Sequence, residues 1–175
     1  MPAPNAESWT FRRIGTIRTP FQVAEGTPIQ PAYGQGVEGT VELDETLADG
    51  LADLEGFERI WLIYALDRAS PGGLRVVPYR DVTARGVFAT RSPSRPNAIG
   101  LSVVRLLGRE GTRLRVADLD ILDGTPLLDI KPYVPAFDAH PGARAGWFDR
   151  REHARTMADG RFHGKPDGRR NEPRE

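Results

Sequence analysis

Two arginines and an asparagine stand close together in the stretch RSPSRPNAIG, residues 91–100. Arg91 and Arg95 offer planar forks of N–H donors that suit carboxylate or phosphate, and Asn97 can both donate and accept. The two prolines of the stretch fix φ and lack the N–H groups of a sheet ladder, which predicts an ordered loop rather than a central strand. A loop held by strands at both ends is a common place for binding groups, but a stiff connection with solvated arginines fits the same residues.

Carboxylates concentrate in a second stretch, DLDILDGTPLLDIKPYVP, residues 118–135. Its DGTP segment predicts a turn, and Asp129, Lys131 and Tyr133 alternate onto one face of the strand that follows. Carboxylates at a strand end and a turn can accept hydrogen bonds from a ribose or an amino group, close to a cation. A β-turn beside a surface salt bridge, which stabilises little, is the alternative that these residues leave open.

Length and composition predict one globular domain with a tail. The chain has 175 residues, of which 39% are hydrophobic and 27% are charged, as in globular domains of ordinary size. No apolar run approaches the roughly 20 residues that a membrane-spanning helix needs. The N-terminus also lacks the charged and apolar segments of a secretory signal, so we expect a cytoplasmic protein without a membrane segment.

The residue types exclude several kinds of site. The chain contains no cysteine, which rules out disulfides, thiolate zinc sites and a cysteine nucleophile. Two of the three histidines, His153 and His163, lie in the polar C-terminal segment, so we expect no metal site. Because the formal net charge is zero, an anionic partner would have to be bound by local clusters of basic residues.

The elements that position these groups are predicted to be mostly strands. Short apolar runs separated by Gly, Pro and Asp are typical of an all-β domain. The predicted strands are FRRIGTI, GTVEL, RIWLIYAL, LRVVPY, GVFAT, GLSVVRLLG, RLRVADLDIL and LLDIKPYV. Residues 59–66 are apolar on both faces, with Ile60 and Leu62 on one and Trp61 and Ile63 on the other, as in a barrel strand that packs against something more.

One helix is predicted in DETLADGLADLEGF, residues 44–57, from three leucines at helical spacing after an acidic start. Beyond about Gly142, Arg, Gly, Asp and Glu replace most apolar residues, which is typical of a loosely held tail. We therefore predict an all-β fold: a small closed β-barrel over residues 8–141, with one or two short helices and a polar, loosely held C-terminal tail over residues 142–175.

Together the two polar stretches resemble the TrmO (YaeB/TsaA-like) family of S-adenosylmethionine-dependent tRNA methyltransferases. The resemblance begins at IGTIRTPF and continues through LADLEGFERIWLIYAL and GVFATRSPSRPNAIGLSVVRLLG to DLDILDGTPLLDIKPYVPAFD, which ends at Asp138. It implies a small β-barrel methyltransferase that acts as a homodimer, with the cofactor near the subunit boundary. The chain accordingly lacks the Gly-rich strand-to-helix fingerprint of a Rossmann nucleotide site.

Known members methylate N6 of the threonylcarbamoylated adenosine beside the anticodon. The resemblance therefore implies S-adenosyl-L-methionine as the cofactor and the anticodon loop of tRNA as the partner. Such a transfer is a direct displacement in which in-line positioning supplies much of the rate, and no covalent intermediate is needed. Because the carbamoyl substituent makes the N6 proton easier to lose, Asp120, Asp123 or water can accept it.

The resemblance also gives individual residues an expected role. The expected catalytic residues are Asp120, Asp123 and Tyr133. The expected cofactor-binding residues are Pro28, Ile29, Gln30, Asp67, Arg68, Arg91, Leu101, Asp120, Ile121, Leu122 and Asp123. The expected substrate-binding residues are Arg95, Asn97, Asp129 and Lys131. Candidates for phosphate contacts are Arg95, Lys131 and the tail arginines.

Two departures from the family pattern, both bordering the cofactor site in relatives, keep alternatives open. Ile29 stands where the family usually has arginine, and Asp67 and Arg68 stand where it usually has His-Gln. Longer members carry a further C-terminal domain, so part of its RNA-binding surface is either missing here or replaced by the tail, and a solubilising end without that role is the alternative. The alternatives are an S-adenosylmethionine-binding module without transfer activity and a methyltransferase acting on a different RNA or small molecule.

Overall fold

The computed structural model describes residues 7–150 and 154–163. In chain order the strands are β1 (Gly15–Arg18), β2 (Glu38–Leu43), β3 (Arg59–Ala65), β4 (Arg75–Val76), β5 (Arg85–Gly86), β6 (Ile99–Glu110), β7 (Arg113–Ala117) and β8 (Thr125–Pro132). Six of them close a barrel in the order β1-β2-β7-β6-β3-β8, whereas β4 and β5 form a separate two-stranded sheet. The predicted all-β fold with a small closed barrel is confirmed.

Alternation along the strands builds the core inside the barrel. In β3, Ile60, Leu62 and Tyr64 point inward and are buried, with 0%, 0% and 6% exposure. Trp61 and Ile63 point outward and are half-buried. The expectation that both faces of β3 are covered therefore differs from the structure, because a barrel strand of a single chain packs fully on its inner side only.

The predicted helix over residues 44–57 is replaced by two 3-10 segments, Glu45–Leu51 and Leu54–Gly56. Asp53 between them has a φ of 64°, a left-handed conformation that cannot continue a right-handed helix. Leu51 is nevertheless buried, and Leu54 packs against the same core. The leucine spacing therefore identifies core residues but not the type of helix.

The remaining helical elements are short. They are the 3-10 turns Pro31–Tyr33, Val87–Ala89 and Gly146–Arg150 and the α-helix α1 (Pro135–Asp138). Among the described residues, no helix has the length and apolar character needed to cross a bilayer.

Residues 86–90, GVFAT, also differ from their prediction as a strand. Arg85–Gly86 pair as β5, but Val87–Ala89 turn as a 3-10 segment. Val87 is 1% exposed and packs beside Phe162 in a small second cluster outside the barrel. Its apolar side chain thus packs in the second cluster, which lies outside the barrel. The turn at Val87–Ala89 places the side chain there, whereas a barrel strand would not.

The C-terminal segment is held more firmly than its composition predicts. Residues 154–163 run along the domain, where the N–H of Ala158 donates to the carbonyl of Thr27 across 2.8 Å. Phe162 is 8% exposed because its ring fills the second cluster. Backbone pairing and one aromatic side chain therefore anchor this part of the predicted tail, whereas residues 164–175 lie outside the described ranges.

Candidate active site at one end of the barrel

The segment between β7 and β8 places a carboxyl group at one end of the barrel. Asp118 has a φ of 69°, a left-handed conformation that ends β7 and redirects the chain. Leu119 and Ile121 then bury their side chains in the core, at 0% and 2% exposure. Asp120, which lies between them, is therefore held by packing on both sides.

Asp120 ends a hydrogen-bonded row that starts inside the barrel. Ser102 Oγ donates to Asp120 Oδ1 across 2.6 Å, and Tyr64 Oη lies 2.9 Å from Ser102 Oγ. Since the single hydroxyl proton of Ser102 is used on Asp120, Tyr64 is the donor to Ser102. Burial raises the pKa of Tyr64, so its hydroxyl keeps the proton that this row requires.

Desolvation sets the charge state of Asp120. The surrounding protein atoms raise the pKa of its carboxyl to about 7, although the hydrogen bond from Ser102 and the positive charge of Arg91 both lower it. The residue keeps some solvent-exposed surface. At neutral pH the carboxyl is thus divided between its protonated and its charged form, which suits an acid–base group.

Two further segments bring a cation to Asp120. Arg91 Nη1 donates to Gln30 Oε1 across 2.5 Å. Gly34 lies so close to the carbonyl oxygen of Leu119 that a Cβ there would overlap it. The chain just after Gln30 therefore packs against the residue before Asp120. Gln30, Arg91 and Asp120, which are far apart in the sequence, form what we call the barrel-end cluster.

Arg68 and Asp123 fix the turn that follows Asp120 in the chain. Arg68 Nη2 donates to the carbonyl of Asp123 across 2.7 Å and to Thr125 Oγ1 across 3.3 Å. The Asp123 carboxylate accepts from the N–H of Thr19 across 3.1 Å. Asp67 Oδ1 lies 3.8 Å from Arg68 Nε. The pair that departs from the family pattern is therefore tied to this turn, beside the barrel-end cluster.

The remaining predicted cofactor residues differ in whether their side chains are exposed to a ligand. Pro28 is buried, and the backbone N–H of Ile29 bonds to the C-terminal segment. Ile121 has its side chain in the core, and the carbonyl of Leu122 accepts hydrogen bonds within the turn. Leu101 is 50% exposed on the outer face of β6. Of this group, only Leu101 offers a largely exposed side chain, and it points away from the barrel interior.

Asp129 and Lys131 lie on the outer face of β8, and Tyr133, directly after the strand, continues the same side, as their alternation predicts. Lys131 Nζ lies 2.8 Å from Asp129 Oδ2, and the Tyr133 ring packs on Trp61 with centroids 5.8 Å apart. The chain at Tyr133 bonds to the first residue of β3. The hydrogen-bonded row that leads to Asp120 starts at Tyr64, near the other end of β3. At about 3.3 Å per residue, Tyr64 lies roughly 16 Å along the strand from Arg59. Within one chain these side chains do not converge with Asp120.

The loop over residues 91–100 forms bends rather than a strand up to the start of β6, as its prolines predict. Ser92 and Ser94 face inward with 5% and 4% exposure, and Ser94 bonds to the C-terminal segment. Arg95 donates to a backbone carbonyl just before the loop, and Asn97 is exposed. The serines therefore anchor the loop while its polar side chains remain accessible.

Sequence reasoning missed Tyr64 and Ser102 as partners of Asp120. In β6 the inward positions are Gly100, Ser102 and Val104. A hydroxyl at an inward position of an apolar strand requires a hydrogen-bond partner, and this was the available signal. Its partner could not be named because it lies on another strand.

The basic side chains of the C-terminal segment are largely neutralised. Arg155 and Arg161, predicted as phosphate contacts, both pair with Asp159 and line a groove of about 530 Å³ away from the barrel-end cluster. Of the other predicted tail contacts, Arg150 is exposed at the end of the turn Gly146–Arg150, and the rest lie outside the described ranges. Within residues 7–150 and 154–163, no group of three or more His, Asp or Glu side chains is placed to hold a metal ion.

Residues 16–139 match the family model of the tRNA-methyltransferase O N-terminal domain. The chain belongs to this family. The resemblance carried by the two polar stretches is thereby confirmed, and the matched range includes Arg91, Asp120 and Tyr133 but ends before the C-terminal segment.

Individual relatives agree with the family assignment. A probable S-adenosyl-L-methionine-binding protein of Pyrococcus abyssi is 51% identical over 154 residues, which cover 87% of this chain and 84% of that protein. The tRNA (adenine(37)-N6)-methyltransferase of Escherichia coli is 37% identical over 150 residues, which cover 80% of this chain and 64% of that enzyme. The crystal structure of TrmO from Pseudomonas aeruginosa superimposes with a TM-score of 0.70 at 39% identity, covering 83% of this chain and 63% of that one. This chain thus spans most of the archaeal protein but less than two thirds of the two bacterial ones.

Proposed function

We propose that this chain binds S-adenosyl-L-methionine and methylates N6 of adenine 37 in tRNA that carries the threonylcarbamoyl group. The observation that carries the proposal is the meeting of Gln30, Arg91 and Asp120 in one cluster, within a chain of the tRNA-methyltransferase O family. A relative named for S-adenosyl-L-methionine binding supports the cofactor, and a relative named for tRNA (adenine(37)-N6)-methylation supports the reaction.

The side chains of the barrel-end cluster suit this cofactor. Its ribose hydroxyls need an acceptor, which Gln30 offers, and its carboxylate needs a cation, which Arg91 offers. Asp120 keeps exposed surface, so a ligand can reach it. When bound, S-adenosyl-L-methionine would supply a methyl group on a positively charged sulfur, which would leave as a neutral thioether as a nucleophilic nitrogen bonds to the methyl carbon.

Asp120 is the proton acceptor in this proposal. Ser102 occupies Oδ1, so Oδ2 takes the proton from N6. A pKa of about 7 leaves enough of the charged form at neutral pH to accept a proton. Tyr64 and Ser102 act as positioning residues, because they orient the carboxylate without contacting the reacting atoms.

The proposal includes a homodimer. Ile99 and Leu101 are 40% and 50% exposed on the outer face of β6, and Leu101 lies opposite Ile63 of β3. Apolar side chains exposed on neighbouring strands favour a surface that a partner covers. We further propose that a two-fold dimer on this face brings the outer-face residues of β8 in one copy towards the barrel-end cluster of the other. We also propose a cytoplasmic location, because the proposed substrate is tRNA.

Cofactor binding without transfer is a second candidate. Ile29, Asp67 and Arg68 replace family residues beside the cluster, and Arg68 is committed to the turn at Asp123. The Pyrococcus relative is named for binding alone. A methyltransferase for a different RNA or small molecule, the third candidate, would use the same cluster.

Two measurements separate these candidates. Calorimetry with S-adenosyl-L-methionine and S-adenosylhomocysteine tests the cofactor, and transfer of labelled methyl groups to total tRNA tests the substrate, with tRNA lacking threonylcarbamoyl groups as the control. Transfer that requires the threonylcarbamoyl group is expected. Binding without transfer favours the second candidate, and transfer to other acceptors alone favours the third. No heat with either ligand would overturn all three.

A further inference from the structure

Aromatic rings and arginines form a cluster on the surface of the protein, which we call the ring cluster. The guanidinium of Arg80 lies 5.3 Å from the ring centroids of both Tyr33 and Phe148. The Phe148 and Trp147 rings meet edge to face with centroids 5.8 Å apart, and the guanidinium of Arg85 lies 5.7 Å from the Trp147 ring. The cluster is therefore a continuous row in which Arg80 lies between the Tyr33 and Phe148 rings and Arg85 lies against the Trp147 ring.

The ring cluster borders both segments that supply the barrel-end cluster. Tyr33 follows Gln30 by three residues. Trp147 Nε1 donates across 2.7 Å to the carbonyl of Ala89, two residues before Arg91. Gln30 and Arg91 are themselves joined by a hydrogen bond of 2.5 Å. A ligand on the ring cluster would thus lie beside the candidate cofactor site.

The ring cluster also has the charge of a surface that binds an anion. Residues 80–95 contain four arginines and one aspartate, and this aspartate, Asp81, forms an ion pair with Arg85 across 2.7 Å, which leaves an excess of three positive charges in the range. Phe88 in this range is 76% exposed, and Phe148 is 36% exposed. Exposed rings next to arginines are the arrangement on which proteins stack unpaired nucleotide bases, while the positive charge attracts the phosphates.

We propose that the ring cluster binds the unpaired bases of an RNA loop by stacking. This rests on the proposed function, because it assigns the surface on which the tRNA loop is held beside the cofactor. Rings and arginines also occur at protein interfaces, but the excess of positive charge in residues 80–95 favours a polyanionic partner. Trp147 and Phe148 lie just beyond residues 16–139, the range that matches the family domain.

Fluorescence anisotropy with a labelled hairpin RNA of anticodon stem-loop sequence tests the proposal in the full-length protein. Phe148→Ala and Trp147→Ala should each weaken hairpin binding at least about fivefold, because one stacked base contributes on the order of 1–3 kcal/mol. Phe148→Tyr, which keeps a ring, should retain wild-type affinity. Trp9→Ala, which removes a tryptophan that is 80% exposed, is the matched control and should bind normally. Circular dichroism verifies that each variant is folded.

Three readouts identify the outcomes that overturn the proposal. Unchanged hairpin affinity in both alanine variants overturns it, as does equal weakening of hairpin binding and of binding to a duplex of the same stem. A fall from dimer to monomer mass in the variants overturns it in favour of a subunit interface. Calorimetry should show that both alanine variants bind S-adenosyl-L-methionine with wild-type affinity. This measurement distinguishes RNA binding by the ring cluster from cofactor binding in the proposed function. Wild-type protein that binds the hairpin through these rings but transfers no methyl group contradicts only the proposed function.

Discussion

The hydroxyl of Ser102 in β6 donates to Oδ1 of Asp120 across 2.6 Å, which joins the barrel interior to the segment that lies over its end. This contact fixes one oxygen of the carboxyl group and leaves the other for a ligand. Because burial raises the pKa of Asp120 to about 7, the same contact influences when the group can accept a proton. The first two predictions follow from this pair of residues.

The pH dependence of methyl transfer should report the titration of Asp120. The wild-type kcat should fall as pH drops through about 7, because the protonated carboxyl cannot accept a proton. Asp120→Asn should lower kcat by about 100-fold or more and abolish this fall. Ser102→Ala removes a hydrogen bond that lowers the pKa, so its midpoint should move to higher pH. Single-turnover assays measure this, and loss of the fall in Asp123→Asn instead would identify Asp123 as the acceptor.

Stability should depend on the same group. Because the pKa of Asp120 is raised from 3.8 to about 7 on folding, its contribution to the free energy of unfolding is full below about pH 4 and is lost as pH rises through about 7. Between these values the free energy of unfolding should fall by at most about 1.4 kcal/mol for each step of one in pH. Asp120→Asn removes this loss, so its urea midpoint should rise relative to wild type between about pH 4 and pH 8. A difference from wild type that does not vary with pH would contradict the buried titration.

Gly100 should be required for the packing of Tyr64. A Cβ at Gly100 would overlap the Tyr64 ring, so Gly100→Ala should destabilise the protein by about 1–3 kcal/mol. Gly86→Ala is the matched control, because its Cβ would meet no atom within 4 Å and its φ of −61° suits alanine. Urea denaturation measures both. Equal stability of the two variants would show that Tyr64 does not pack on Gly100.

The C-terminal segment should support the cofactor site. Phe162→Ala removes the ring that anchors this segment and should cost about 3 kcal/mol in the free energy of unfolding. It should also weaken S-adenosyl-L-methionine binding, because residues 156–158 pair with the backbone that carries Pro28 and Ile29. Met157→Ala, at a side chain that is 42% exposed, should change neither. If calorimetry shows that Phe162→Ala binds the cofactor with wild-type affinity, the C-terminal segment does not support the cofactor site.

The protein should be a dimer. Light scattering at micromolar concentration should give twice the 19.3 kDa mass of one chain. Ile99→Lys places a charge on the outer face of β6 and should shift the equilibrium towards monomer, whereas Val23→Lys, at a residue that is 62% exposed elsewhere, should not. A wild-type mass of one chain would contradict the dimer, and an unaffected Ile99→Lys dimer would move its interface to another face.

Local patterns predict the environment of a residue better than its backbone type. The spacing of the three leucines in residues 44–57 predicts core positions, and Leu51 is one, but Asp53 breaks the helix that the same spacing suggests. Val87 belongs to an apolar run and is buried, yet it lies on a turn rather than a strand. Hydrophobic spacing reports which side chains avoid water, and several backbone forms satisfy it equally.

By itself the sequence determined the β-barrel class and the family, because short apolar runs and the two polar stretches are local signals. It also placed Arg91 and Asp120 among the candidates, which stay predictions until tested. Only the tertiary structure decided that Ser102 meets Asp120, 18 residues away, and Tyr64, 38 residues away. Such meetings depend on the register between strands, which the packing of the whole barrel sets. The docking of Phe162 was hidden for the same reason: its partners are distant in the chain, and a polar segment gives no local sign of them.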